Sequence, residues 1–173
     1  MAEQVHGEVT SRGGSKAAHA ATAHTTSWLL CRAARRFCAL PLDAVVETMR
    51  PLPVAPVAGA PVFVSGIAIV RGVGLPVVNT AALLGSPEST PGRFVTVRVD
   101  EARHVVFAVE AVVGVRTFAP DSFSALPPLL ASAGSELVSA IGTLDSELLV
   151  VLNRTLVVPD EVWSALAQES GRS

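Results

Sequence analysis

The sequence predicts an all-β protein with a short helix near its C-terminal end. From Trp28 onward, apolar runs rich in Val are broken at intervals of roughly eight to twelve residues by Gly, Pro, Asp or Asn, which is the pattern of a β-sandwich or β-barrel. The chain has 173 residues, enough for one domain or two very small ones with a buried core. Helical periodicity is confined to two short pieces.

Nine segments combine β-branched or aromatic residues with a length suited to a strand. We predict strands over residues 28–33, 36–40, 45–49, 67–70, 74–79, 94–99, 104–109, 112–118 and 148–152. Two polar stretches, residues 100–103 and 144–147, separate apolar runs and are predicted as hairpin loops.

Helical signals occur at two places. Residues 80–84 allow one helical turn at most, because a glycine and a proline follow closely. The sequence Pro-Asp-Glu at residues 159–161 is typical of a helix start, and an apolar stripe follows it, formed by Val162, Trp163, Leu166 and Ala167. We expect a short helix and tail over residues 161–173.

Two other segments lack any regular apolar pattern. Residues 1–26 are rich in Ala, Ser, Thr, Gly and His, so we expect a disordered tail that has no apolar set to offset the entropy of ordering. Its three histidines have a spacing that suits no compact metal site: His6, His19 and His24. Residues 86–92 form a Ser/Pro/Gly loop, which is the best approximate divide between two half-sized barrels within a domain of residues 27–160.

Charge and hydropathy argue against nucleic-acid binding and membrane insertion. The net charge of −2 provides no basic field for nucleic acid or an anionic membrane. Residues 51–70 carry no charge, but their four prolines and two glycines are incompatible with an isolated transmembrane helix. The start of the chain has no apolar run typical of a secretory signal. We therefore expect a cytoplasmic protein.

The sequence offers little support for catalysis. His104 is the only histidine after the tail, and no nucleophile motif accompanies it. Cys31 and Cys38 lack the spacing of a zinc site, and we expect buried, reduced thiols. The acidic residues show no paired spacing. We predict a protein that is not an enzyme and needs no metal or cofactor.

Arg71 is the most informative charged residue. It is the only charge within residues 65–78, a strongly apolar stretch. Such a residue is a solubilising charge at a turn, the partner of a buried acid such as Glu47, or an interface arginine beside an apolar groove. The sequence leaves these alternatives open.

Four segments together resemble the CheW family of chemotaxis adaptor proteins. Residues 61–79 resemble the family signature, in which a proline and a glycine precede an arginine-glycine turn and a Pro-Val strand. The other three, in order, are residues 39–47, 109–115 and 141–153, which resemble the first barrel entry, a valine-acid-x-valine strand and a glycine hairpin with its closing strand. The resemblance covers residues 28–158.

The resemblance implies two packed five-stranded SH3-like barrels and a non-enzymatic scaffold. It implies two partners, the cytoplasmic tip of a methyl-accepting chemoreceptor in the groove between the barrels and the regulatory domain of a CheA-type histidine kinase at the barrel ends. It also implies recruitment to membrane-associated receptor arrays. By the same resemblance, the partner surface contains Arg71 and Glu47 with Val45, Val70 and Val112 as apolar neighbours, and backbone turns are formed at Gly66, Gly72 and Gly142.

The chain departs from the family pattern at Ile69, Asn79 and Ala81, where the family usually has asparagine, aspartate and arginine. These changes motivate a second hypothesis, a divergent CheW-like protein that binds a receptor or another partner without activating the kinase. A third hypothesis is a small β-barrel protein that binds a ligand or acts as a hydrolase.

Overall fold

A computed structural model describes residues 25–86, 88–126, 137–155 and 158–170. The predicted tail lies outside the described residues except for Thr25 and Thr26, and so do its three histidines. Within the described residues, ten strands form two five-stranded sheets. The first sheet, barrel 1, contains β1 (Thr26–Ala33), β2 (Arg36–Pro41), β8 (Ala111–Phe118), β9 (Val138–Leu144) and β10 (Glu147–Leu152). The second, barrel 2, contains β3 (Val45–Met49), β4 (Val64–Val70), β5 (Val73–Asn79), β6 (Arg93–Arg98) and β7 (His104–Val109).

The two barrels have the same pattern of strand pairing. Barrel 1 has the order β8-β1-β2-β10-β9, and barrel 2 has the order β3-β6-β7-β5-β4. In each, the pairing between the third and fourth strands is parallel and the other three pairings are antiparallel. The predicted all-β fold of two five-stranded barrels is confirmed.

The chain passes between the barrels at two points, and neither lies at the expected divide. Residues 26–41 form strands of barrel 1, residues 45–109 form all of barrel 2, and the chain then returns to barrel 1. Residues 86–92 instead connect strands within barrel 2. The physical reason is that β5 and β7 pair in parallel. Parallel neighbours cannot be joined by a tight hairpin, so the chain between β5 and β7 needs a long connection, and residues 86–92 belong to it.

The central strands are buried on both faces. On β7, Val106 faces the core inside barrel 2, whereas Phe107 faces a larger core that contains side chains from both sheets. In the same way, Ala39 on β2 faces the core inside barrel 1, whereas Cys38 faces this shared core. Burial on two faces explains the continuous apolar runs and the positive mean hydropathy of +0.49.

Eight of the nine predicted strands agree with the observed ones to within two residues at the N-terminal end and one residue at the C-terminal end. The ninth, β4, begins three residues earlier than predicted. The tenth strand, β9, was missed. Its sequence alternates small and polar residues with apolar ones and contains Gly142, and most of its residues are only half-buried. A strand at a sheet edge carries this weaker apolar signal.

Gly66 and Gly142 lie inside strands, which corrects the prediction that both form turns. A Cβ at Gly66 would clash with the backbone of Ala55, which crosses β4 and pairs with Ile67. A Cβ at Gly142 would lie 3.0 Å from the carbonyl oxygen of Ser122. Each glycine therefore permits close approach of a loop that covers the outer edge of its barrel.

Both predicted helices form. Helix α1 (Thr80–Leu83) is capped by Asn79, whose Oδ1 accepts hydrogen bonds from the backbone N–H groups of Ala81 and Ala82. Helix α2 (Asp160–Ser170) packs Val162 into the shared core.

Candidate protein-binding site

Arg71 lies at the tip of the β4–β5 hairpin. Val70 pairs with Val73, so Arg71 and Gly72 form a two-residue turn. Both have positive φ angles, +50° and +82°, which is the conformation of a type I′ turn and matches the twist of the two strands. Glycine suits the second position because it has no Cβ. Gly72 thus lies in the turn of this hairpin.

The guanidinium of Arg71 forms a bidentate ion pair with Glu47 on β3. Its Nε donates to Oε1 at 2.9 Å and to Oε2 at 3.1 Å, and its Nη2 donates to Oε2 at 2.7 Å. The structure therefore brings together the two charged residues that the sequence singled out. Their planar groups form the geometry that arginine makes with carboxylates.

The ion pair is asymmetric in exposure. The side chain of Arg71 is 79% exposed and that of Glu47 is 22% exposed. The hydrogen bonds from Arg71 lower the pKa of Glu47, while those from Glu47 raise the pKa of Arg71. Glu47 thus remains ionised and holds the arginine while the outer part of the guanidinium faces solvent.

Exposed apolar side chains adjoin this ion pair in sequence. Ile69 and Val73 flank the turn and are exposed, and Val46 is exposed next to Glu47. Val73 pairs with Val70, so Ile69 and Val73 lie on opposite faces of the hairpin. We call the charged pair and the exposed residues next to it in sequence the hairpin surface: Val46, Glu47, Ile69, Arg71 and Val73. An arginine among exposed branched apolar side chains is typical of a protein-binding surface.

Sequence reasoning missed Val46 and Val73, and it placed Val70 on this surface incorrectly. Val70 is only 4% exposed and lies in the core of barrel 2. Its neighbour Ile69 is 63% exposed because successive side chains of a strand face opposite sides. All these residues are apolar, so residue type alone carried no signal of which side each faces.

Val45 and Val112 are half-buried and belong to a different place. Both pack against the shared core that joins the barrels. They lie at the seam between barrel 1 and barrel 2, whereas the hairpin surface lies at the tip of a barrel 2 hairpin. The five predicted site residues thus separate into one buried residue, two at the seam and two in the ion pair.

Only one of the three departures from the family pattern lies on an exposed surface. Asn79 caps helix α1, and Ala81 is buried in the shared core. Ile69, two residues before Arg71, is exposed. The change at Asn79 retains a capping side chain, so the departures bear on partner binding mainly through Ile69.

Other chemistry has little support in the part of the chain that the structure describes. No three His, Cys, Asp or Glu side chains there are grouped as metal ligands. Cys31 and Cys38 pair directly across β1 and β2 and are buried free thiols. The pKa of Cys38 is raised, mainly by its contact with the Cys31 side chain and secondly by its burial. The raised pKa disfavours the reactive thiolate form. Within the described ranges, no helix is long and apolar enough to cross a membrane.

Comparisons with known proteins agree with this architecture. Residues 27–161 match the CheW-like domain family. The crystal structure of the scaffolding protein TtCheW from Thermoanaerobacter tengcongensis is similar, with a TM-score of 0.64 and 19% sequence identity over 75% of this chain and 89% of that chain. At this identity the likeness concerns the fold. None of the curated proteins compared with the chain matches it.

Proposed function

The chain belongs to the CheW-like domain family, and from this premise we propose that it is a non-enzymatic adaptor coupling methyl-accepting chemoreceptors to a CheA-type histidine kinase. The family is one of chemotaxis scaffolds. The observation that carries the finer proposal is the hairpin surface, because an exposed arginine held by a carboxylate, with exposed apolar residues near it in sequence, has the composition of a binding surface.

The position of the hairpin surface supports the kinase as its partner. Arg71 lies at the tip of a hairpin, which is one end of barrel 2, and the kinase regulatory domain is expected at barrel ends. Val45 and Val112 lie at the seam between the barrels, where the receptor tip is expected. The protein acts in the cytoplasm and is recruited to receptor arrays through these contacts.

Substitution of Arg71 tests the kinase contact. The side chain is exposed and lies outside the cores, so Arg71→Ala should leave the melting temperature almost unchanged. Its affinity for the kinase regulatory domain of the same organism should fall roughly thirtyfold, as for other interface arginines. Affinity for the receptor tip should change less. Isothermal titration calorimetry with each purified partner measures both affinities.

A charge exchange separates a direct contact from an indirect one. If the ion pair matters only because it holds the hairpin in place, Arg71→Glu combined with Glu47→Arg should restore binding. If Arg71 contacts the kinase domain, the exchanged variant should remain weak, which is the expected result. Arg93→Ala, an exposed arginine elsewhere on barrel 2, is the matched control. Unchanged affinity of folded Arg71→Ala for the kinase domain would contradict the role assigned to this residue.

Receptor binding is tested at the seam. Val112→Asp introduces a charge beside the shared core on strand β8, and we expect loss of receptor binding with kinase binding retained. Val115→Asp, at an exposed position on the same strand, controls for the added charge. A Val112→Asp variant that is folded and still binds the receptor tip normally excludes this part of the seam.

A further inference from the structure

Barrel 1 carries a cluster of three arginines that the proposed adaptor function does not use. Arg32 is the last residue but one of β1, Arg35 lies in the β1–β2 turn, and Arg36 begins β2. Together with Glu147 and Leu148 at the start of β10, they line an open surface pocket of about 390 Å³. The pocket belongs to barrel 1, whereas the hairpin surface belongs to barrel 2.

The backbone holds the cluster in one arrangement. Ala33 pairs with Arg36, so Ala34 and Arg35 form a two-residue turn. Their φ angles of +53° and +61° are those of a type I′ turn. Neither is glycine, so the turn maintains a conformation that residues with a Cβ seldom adopt. The directions in which Arg35 and Arg36 leave the backbone are therefore set by the hairpin.

Arg32 is held by three further contacts. Its guanidinium donates to Glu147 at 2.8 Å and 3.3 Å and lies 3.9 Å above the centre of the Phe37 ring. It also donates to the carbonyl oxygen of Arg35 at 3.3 Å. These contacts fix the Arg32 side chain at one side of the pocket, and the charges of Arg32 and Glu147 neutralise each other.

Two positive charges remain available in the pocket. Arg35 and Arg36 are exposed, and their guanidinium groups have no polar side-chain partner among the described residues. Leu148, which is 44% exposed, provides an apolar patch beside them. The pocket thus combines two free planar donors with an apolar surface.

We propose that this pocket binds an acidic segment of a partner protein, with carboxylates on Arg35 and Arg36 and an apolar side chain on Leu148. The forked donors of arginine match carboxylates in a bidentate geometry. A compact multivalent anion is disfavoured because Glu147 already neutralises Arg32 and would repel it. Nucleic acid is disfavoured because the chain has a net charge of −2 and lacks an extended basic field.

Fluorescence anisotropy with a labelled peptide tests the proposal. The peptide carries alternating Asp and Glu around one Leu, and its control has every acid replaced by the corresponding amide. The wild-type chain should bind the acidic peptide and not the amide peptide, with affinity that falls as salt is added. The double variant Arg35→Glu, Arg36→Glu should weaken binding at least tenfold, and Leu148→Ser should weaken it about threefold.

Arg50→Glu, Arg93→Glu is the matched control. These two arginines are exposed, and each is next in sequence to one member of the cross-strand pair Met49–Phe94 of barrel 2. They therefore place two positive charges near one another on barrel 2, and they do not line the pocket. The control should change peptide affinity less than twofold. Equal loss in the two double variants would overturn the proposal, because binding would then reflect net charge alone.

Two other results would also overturn it. One is the absence of binding by the folded wild-type chain at protein concentrations up to about 1 mM. The other is displacement of the peptide by inorganic phosphate at the peptide's own concentration, which would indicate a simple anion site. Melting temperatures of all variants, measured in the same buffer, establish that each one is folded.

Discussion

The two barrels have the same strand pairing and differ in how their interiors are filled. Three half-buried aromatic rings pack against the core of barrel 1, and Phe123 lies edge-on to Trp28 and Phe118 with ring centroids 5.2 Å apart in both pairs. The half-buried side chains that pack against the core of barrel 2 are instead aliphatic: Met49, Leu52 and Val54. One topology therefore accommodates two different packing solutions, as long as the interior is filled.

The loops that cover the outer edges show a second difference. In each barrel, the loop that joins the first and last strands of the sheet order pairs with the last strand. This loop is the β3–β4 connection in barrel 2 and the β8–β9 connection in barrel 1. In barrel 2 the backbone of Ala55 lies directly against Gly66, which has a φ of +138°. In barrel 1 the loop lies further away from Gly142, whose φ is not in the positive region. The close approach of the loop therefore leaves no room for a side chain at Gly66 in barrel 2, whereas Gly142 in barrel 1 has more space.

The largest expected effect distinguishes these two glycines. Gly66→Ala places a Cβ against the Ala55 carbonyl in a backbone conformation that favours glycine, and we expect a loss of about 3–5 kcal/mol in the free energy of unfolding. Gly142→Ala requires only small movements of Ser122 and Phe123 and should cost about 1 kcal/mol. Urea denaturation monitored by tryptophan fluorescence measures both values.

Gly59→Ala and Gly72→Ala provide controls for this comparison. Both glycines have positive φ angles, but a Cβ at either would have no atom within 4 Å among the described contacts. Their losses should therefore reflect backbone strain alone, about 1 kcal/mol. Equal losses at Gly66 and Gly142 would show that close approach of the loop does not differ between the barrels.

A smaller effect is expected from pH at the hairpin surface of barrel 2. The hydrogen bonds from Arg71 lower the pKa of Glu47, so its titration midpoint, measured by carboxyl ¹³C NMR, should lie below the usual value of about 4.3. Because the folded pKa is the lower one, the contribution of the ion pair is complete above the ordinary pKa. It is lost as the pH falls through the lowered pKa.

Arg71→Gln checks the cause of this shift. The variant should raise the Glu47 midpoint towards the ordinary value, since the main lowering contact is removed. The pKa of Asp100 is lowered by a separate contact with Arg103, so its midpoint should not move in this variant. A Glu47 midpoint that stays low in Arg71→Gln would contradict Arg71 as the cause.

The smallest effect concerns a polar side chain in barrel 2. Thr96 is buried beside the aliphatic core, and its hydroxyl has no hydrogen-bond partner among the described residues. Thr96→Val keeps the shape of the side chain and removes the buried hydroxyl, so we expect a gain of about 1 kcal/mol in the free energy of unfolding. The same urea titration measures this gain, and a loss would indicate that the hydroxyl is satisfied in solution.

The sequence by itself determined where most strands lie. Central strands such as β7 and β10 are continuous runs of Val, Leu and Phe because both of their faces are buried, and such runs stand out from the turns that bound them. The turn at Arg71 and Gly72 and the start of α2 were also predictable, because glycine, proline and the first acids of a helix act locally. The edge strand β9 was missed because its half-buried positions weaken this signal.

The tertiary structure decided which strands belong together and which side chains reach the surface. Leu149 pairs with Phe37, and Val77 pairs with Val106, through contacts between distant segments that no local pattern specifies. Ile69 is exposed and Val70 is buried although both are branched and apolar, because the pleat assigns alternate residues to opposite faces and only the neighbouring strands determine which face is covered.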